Sequence, residues 1–171
     1  MDYQFRKAEL TDLQIIWSIL KEAIIRRKED GSNQWQDGYP NEEVIKNDLH
    51  NNYGYVLTSN KNIVGYCALI KNNEPEYLKI QGKWLSENDF IVFHRLAISG
   101  EFLNKGLAKK MVLLIENHAA SIQIHSIKAD TNHDNIPMIK LFKTLGYSYC
   151  GIVHFRKSPR NAFEKIINKL P

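Results

Sequence analysis

Cysteine is scarce: the 171 residues hold two, Cys67 and Cys150. They form no C-x-x-C pair and stand at no metal-ligand spacing with the six histidines, so nothing suggests a disulfide framework or a metal site. Each lies in an apolar run, which predicts two small core residues. No stretch approaches 18 consecutive apolar residues, and the opening MDYQFRKAEL has no apolar segment of signal length. A cytoplasmic protein with no membrane partner is the expectation. Arginine-rich runs and aromatic-basic platforms are missing, and 23 Lys+Arg against 19 Asp+Glu leave only +4. That balance suits an anionic ligand and argues against nucleic acid as partner. Neither G-x-G-x-x-G nor G-x-x-x-x-G-K-[ST] occurs, so no dinucleotide or Walker loop is spelled out. With no repeats or linkers, 43% hydrophobic and 25% charged residues fit one globular domain over 1–171.

What is present alternates between strand and helix signals. Tyr3 to Lys7 reads as a strand. Thr11 and Gln14 have capping-box spacing, ahead of a helix face made by Leu13, Ile16, Trp17, Leu20 and Ile24 and running to about Arg27. Lys28 to Pro40 is a polar loop with two large aromatics, Trp35 and Tyr39. A short helix follows from Asn41, then a hairpin of Tyr53 to Leu57 and Ile63 to Ile70. Lys71 to Asp89 is a polar excursion whose length predicts some strand within it. Ile122 to Ala129 reads as strand, Ile136 to Leu145 as helix closed by Gly146, and Tyr147 to Arg156 as strand. In the tail, Phe163, Ile166, Ile167 and Leu170 have helical spacing after Ser158-Pro159.

The stretch Phe90 to His118 carries the most information. Phe90 to Phe93 and Leu96 to Ile98 make a buried strand that meets Ser99-Gly100. Leu107, Met111, Leu114, Ile115 and His118 then recur at helical spacing. Between them lies Leu103-Asn104-Lys105-Gly106-Leu107-Ala108, with Asn104 as candidate N-cap. First-turn N–H groups, the helix dipole and Lys105, Lys109 and Lys110 together describe an anion site. An ordinary strand-to-helix turn with a solvated lysine face would read the same way.

This stretch resembles the central motif of the GNAT superfamily of N-acetyltransferases: a strand, [QR]-x-x-G-x-[GA], and a helix. Gly106-Leu107-Ala108 supply the G-x-[GA], and Leu103 replaces the [QR]. A second block, Ala129 to Met138 followed by Leu141-Phe142 and Leu145-Gly146-Tyr147, is similar to the family's strand end, Asn, helix and closing Gly-[FY]. The resemblance implies an α/β fold: a mixed sheet of about six to seven strands, about four helices, and a parallel pair that splays apart. It also makes the tail a strand, the reading adopted here.

For function, the resemblance implies acetyl transfer from acetyl-CoA, with no metal, to a primary amine on a small molecule or peptide. Leu96, Ala97 and Ile98 would bind pantetheine through their backbone. Leu103, Asn104, Lys105, Gly106, Leu107, Ala108 and Lys109 would cradle the pyrophosphate, and Asn135, Met138 and Phe142 would complete the cofactor site. Asp130 is the first candidate base and His94 the second; a turn carboxylate and a core histidine are their structural alternatives. Arg95 reads as a strand-surface cation. Trp35, Tyr39 and Glu76 are candidates for the acceptor pocket, where Glu74, Glu76 or Asp37 would favour a polyamine or aminoglycoside. Trp35 could equally pin its loop onto the core. The family's usual thiolate-protonating tyrosine is Phe142 here, so the acid is unassigned. That leaves room for a CoA-binding regulatory module without turnover, and a homodimer is also left open.

Overall fold

The structure, a computed structural model, describes residues 3–167. Among them are eight strands and four α-helices: β1 (Tyr3–Lys7), α1 (Leu13–Glu29), α2 (Glu42–His50), β2 (Gly54–Ser59), β3 (Asn62–Lys71), β4 (Gln81–Gly82), β5 (Phe90–Ile98), α3 (Leu107–Ser121), β6 (Ser126–Thr131), α4 (Ile136–Thr144), β7 (Ser148–Phe155) and β8 (Ser158–Ile166). The strands form one mixed sheet in the order β1-β2-β3-β5-β6-β8-β7-β4. This is the mixed α/β architecture expected, with the two-residue β4 as an added edge. The chain divides into two compact units, Met1–Leu69 with Arg95–Leu114, and Ile70–His94 with Ile115–Pro171.

In the first unit, β1, β2 and β3 run antiparallel, and Asn60 and Lys61 turn the β2–β3 hairpin with left-handed backbones. Ile16 and Leu20 of α1 and Ile45 of α2 bury against Val56 and Tyr66 of the strands. The capping box lies two residues earlier than the sequence suggested, at Glu9 and Asp12. The Asp12 carboxylate accepts from the Glu9 N–H at 2.8 Å and is held by Arg6 at 2.7 Å, so Thr11 and Gln14 do not form it. Hydrogen bonding to Arg6 keeps the Asp12 carboxyl below its usual range. At α2, the Asn41 side chain accepts from the Val44 N–H, as an N-cap should.

Arg95 is not a surface cation. It sits within β5 at φ 56, a left-handed conformation foreign to a strand, and its side chain is 7% exposed. Asp48 of α2, 3% exposed, grips it twice: Nε donates to Oδ2 at 2.9 Å and Nη2 to Oδ1 at 2.7 Å. Tyr39 accepts from Nη1, and Tyr66 donates to Asp48 at 2.7 Å. Burial, then the Asp48 charge, pushes the Tyr66 hydroxyl far above its ordinary pKa, so it stays a donor. A two-point carboxylate grip fixes a backbone state that would otherwise cost roughly 1–3 kcal/mol.

In the second unit, the first half of β5 pairs in parallel with β6, and β6, β8, β7 and β4 continue antiparallel. The tail is a strand. Ala162 and Phe163 are both buried because β8 is covered on both faces, which obscures a period of two. Ile166 is 48% exposed, so the helical spacing there is fortuitous; Leu170 lies outside the described residues. Beyond β3, the polar excursion holds one 3-10 turn, Pro75–Lys79, and the two-residue β4, with irregular backbone elsewhere. Strand β6 starts at Ser126, later than expected, since α3 extends to Ser121 and Gln123 turns left-handed after it. Gly146, at φ 80, closes α4: its N–H bonds Lys143, and Tyr147 N–H reaches back to Phe142. Both cysteines are free and buried.

Removing Asp48 strands a buried guanidinium. Asp48→Ala should lower stability by about 3–5 kcal/mol in urea denaturation; a loss below about 1 kcal/mol would show that Arg95 is held by something else.

Candidate active site

The parallel pairing of β5 and β6 is short. Phe90 faces Ser126, Ile91 faces Ile127, and Val92 faces Lys128, where it ends. Because strand side chains alternate, the next residues on the Val92 and Lys128 faces are His94 and Asp130. The structure brings them together, with His94 Nδ1 3.8 Å from Asp130 Oδ1. The other ring nitrogen, Nε2, lies 2.6 Å from Glu74 Oε2, so the imidazole stands between two carboxylates.

Asp130 is the hub of this cluster, its side chain 1% exposed. Tyr77 donates to Oδ1 at 2.8 Å, and Arg160 Nη1 lies 3.4 Å from Oδ2. These partners come from distant elements, so Asp130 is not a carboxylate serving its own turn. Burial and then the Asp130 charge drive the Tyr77 phenol well above its usual pKa, which keeps it a donor. His94 and Glu74 are more open, at 13% and 12%. Sequence reasoning found His94 and Asp130 as separate candidates and missed Tyr77 and Arg160. Glu74 was weighed only as an acidic pocket wall. A buried-type aromatic in an otherwise polar excursion was the available signal for Tyr77.

The anion cradle expected from the sequence belongs to the first unit. Helix α3 begins at Leu107, with the Lys110 N–H bonded to the Gly106 carbonyl at 3.0 Å. Gly106, not Asn104, therefore stands at its head. Gly106 has φ +74, and a Cβ built there would meet nothing within 4 Å, so open space lies over the first turn. Leu103 to Gly106 are exposed, and Lys109 beside them is too. Lys105 reaches back to the Glu101 carbonyl at 2.9 Å. First-turn N–H groups have no partner within their own helix, so this loop fits a pyrophosphate. Upstream, Ala97 and Ile98 are buried and Leu96 is half-buried.

Other sequence candidates fall elsewhere. Asn135 caps α4, its side chain accepting from the Met138 N–H at 3.4 Å, and Met138 is half-buried. Phe142 is fully buried among Phe93, Tyr147 and Phe163, with centroids 4.8–6.0 Å away, and has no surface for a cofactor. Its side chain completes the core under β5 and β8 instead. Trp35, at φ 65, packs on the α1–α2 core, and Tyr39 holds Arg95. Glu76 is half-buried in the 3-10 turn of the second unit. Among the described residues, no helix is long and apolar enough to cross a membrane.

The β5–β6 pairing stops at Val92 and Lys128, and Gly106 heads α3 with open space over its first turn. The model of the GNAT acetyltransferase family matches residues 17–147, and the chain belongs to that family. It is similar to a GNAT-family acetyltransferase from Streptococcus agalactiae, 36% identical, over 98% of this chain and 96% of that one, with a TM-score of 0.90. A GNAT-family acetyltransferase from Listeria monocytogenes shares the fold at 18% identity, covering 96% and 95%, with a TM-score of 0.78. So does a Salmonella typhimurium protein solved with its cofactor acetyl-CoA, at 15% identity, covering 100% and 97%, with a TM-score of 0.70. No curated protein matches the chain.

Tyr77→Phe keeps the ring packing and removes one donor from a carboxylate with almost no access to water. Stability should fall by about 1–3 kcal/mol in urea unfolding; an unchanged midpoint would mean that the Tyr77–Asp130 bond contributes nothing.

Proposed function

We propose that this chain is an acetyl-CoA-dependent N-acetyltransferase acting on a primary amine, with Glu74, His94 and Asp130 as its proton-handling group. The observation that carries this reading is the imidazole between two carboxylates, placed where the β5–β6 pairing ends. Glu74, the outer carboxylate, takes a proton from the acceptor's ammonium and passes it to His94 Nε2. Asp130, which accepts from Tyr77 and lies beside Arg160, steadies the imidazolium through Nδ1. Asp130 is then a positioning residue; the more exposed Glu74 replaces it as the base.

The neutral amine forms the new C–N bond as the C–S bond breaks, and the electron pair leaves with sulfur. Acetyl-CoA supplies the activated acetyl group and a thiolate of ordinary pKa, about 8.5, which leaves without a dedicated acid. The enclosed Phe142 therefore does not argue against turnover. Backbone groups of Leu96, Ala97 and Ile98 hold the pantetheine and polarise the carbonyl. Leu103 to Lys109 hold the pyrophosphate, with Lys105 and Lys109 adding charge.

Acetyl-CoA should raise the melting temperature by mass action on the native state. Gly106→Val fills the open space over the first turn and should weaken acetyl-CoA binding by about 2 kcal/mol or more in calorimetry. The φ of +74 makes the same change strain the backbone, so stability falls as well, by roughly 1–2 kcal/mol, and binding must be read on the folded fraction. A folded variant that binds as tightly as the parent would place the pyrophosphate elsewhere. Glu74→Gln should leave that binding intact and lower kcat by about 10²–10⁴. Binding without thiol release from any amine would instead make the chain a regulatory CoA-binding module.

A further inference from the structure

Glu74 and Tyr77 belong to the proton-handling cluster and also line a groove of about 250 Å³, together with Trp84, Phe90, Leu78 and Lys128. The last five of these, Glu74 aside, also line a groove of about 630 Å³. The floor is aromatic: the Tyr77 and Trp84 rings lie 4.7 Å apart, centroid to centroid, and Tyr77 and Phe90 lie 6.4 Å apart. The rim is aliphatic and uncovered, with Leu78 88% and Leu85 52% exposed. Apolar walls with a few placed polar groups describe a small-ligand site. Lys128 sets a cation against the aromatic rings, whereas Lys83 and Glu87 line only the wider groove. Lys128 is 4% exposed, its Nζ 4.3 Å from the Phe90 centroid and 4.6 Å from that of Trp84. It shares its face of β6 with Asp130, two residues on.

The charges are thus ordered: a carboxylate, Glu74, at the cluster end, and an ammonium among the aromatics beyond it. Resting on the transferase reading above, we propose that this groove holds the acceptor's body, and that the acceptor is a primary amine on an aromatic or apolar body carrying no second positive charge. The amine meets Glu74, and the body lies against Trp84, Phe90 and Leu78. Lys128 sets the charge rule, because a second ammonium along the groove would meet a like charge with little water between them. Burial already lowers the Lys128 pKa, with Glu164 offsetting part of that effect. The polyamine or aminoglycoside suggested by Glu74, Glu76 and Asp37 in sequence is therefore disfavoured.

The test compares 2-phenylethylamine with spermidine. Calorimetry on the wild-type chain should show phenylethylamine binding at least about tenfold tighter. Lys128→Met keeps the length of the side chain and removes its charge, and should shift the affinity ratio toward spermidine at least about tenfold. Trp84→Ala should weaken phenylethylamine by a similar factor. Absent phenylethylamine binding, equal affinities in the wild type, or a ratio unmoved by Lys128→Met would overturn the proposal. Thiol release from acetyl-CoA separates the two readings. If the binding preference holds but neither amine is acetylated, the transferase reading fails and the occupant is no acceptor. If both amines are acetylated with equal kcat/KM, transfer stands and the groove rule falls.

Discussion

A single carboxylate, Asp130, ties together three parts of the second unit. Tyr77 brings the excursion to it, His94 brings β5, and Arg160 brings β8. At 1% exposure, a charged Asp130 is tolerable only because donors surround it. The excursion is also anchored by Tyr77, Ile80 and Trp84, which pack with Val92, Val153 and Ala162, and by the pairing of β4 with β7. A second buried carboxylate assists: Glu164 accepts from Ser126 and Ser86 hydroxyls at 2.6 and 2.8 Å and from the Leu85 N–H at 2.5 Å. Two acids on neighbouring strands therefore position the loops that carry Glu74 and Trp84.

The first unit meets a different requirement by the same physics. A strand that bends at Arg95 needs a residue held in a left-handed conformation, and the Asp48 grip supplies the restraint. Beyond it, Ala97 and Ile98 are buried, and the Ile98 carbonyl accepts from Arg26 at 2.8 Å. Gly106 completes the unit's contribution by leaving the head of α3 uncovered.

The sequence made the scaffold legible and left the constellation mostly hidden. Helix faces, the Asn41 cap, the Gly146 stop and the strand–loop–helix from Phe90 follow local rules, so periodicity and turn chemistry suffice to find them. Arg95 was misread because strand charges are usually solvated, and its partner Asp48 lies 47 residues away on a helix. Arg160 hid in a tail whose burial on both faces erased its alternation. Glu74 and Tyr77 sit in an aperiodic segment, where no pattern indicates direction. Phe142 had been given a ligand role by its place in a family motif, and packing overrules that: its neighbours are three aromatic rings.

The claim that matters most is that His94 and its two carboxylates, rather than solvent, take the proton from the amine. The direct measurement is the pH dependence of amine acetylation at saturating acetyl-CoA, in the wild type and in His94→Gln. With the relay intact, the rate should reach its plateau well below the amine's own pKa. Without His94 the rise should move up toward that pKa, and the plateau at neutral pH should be lost. Superimposable profiles would contradict the account and leave the cluster a structural brace.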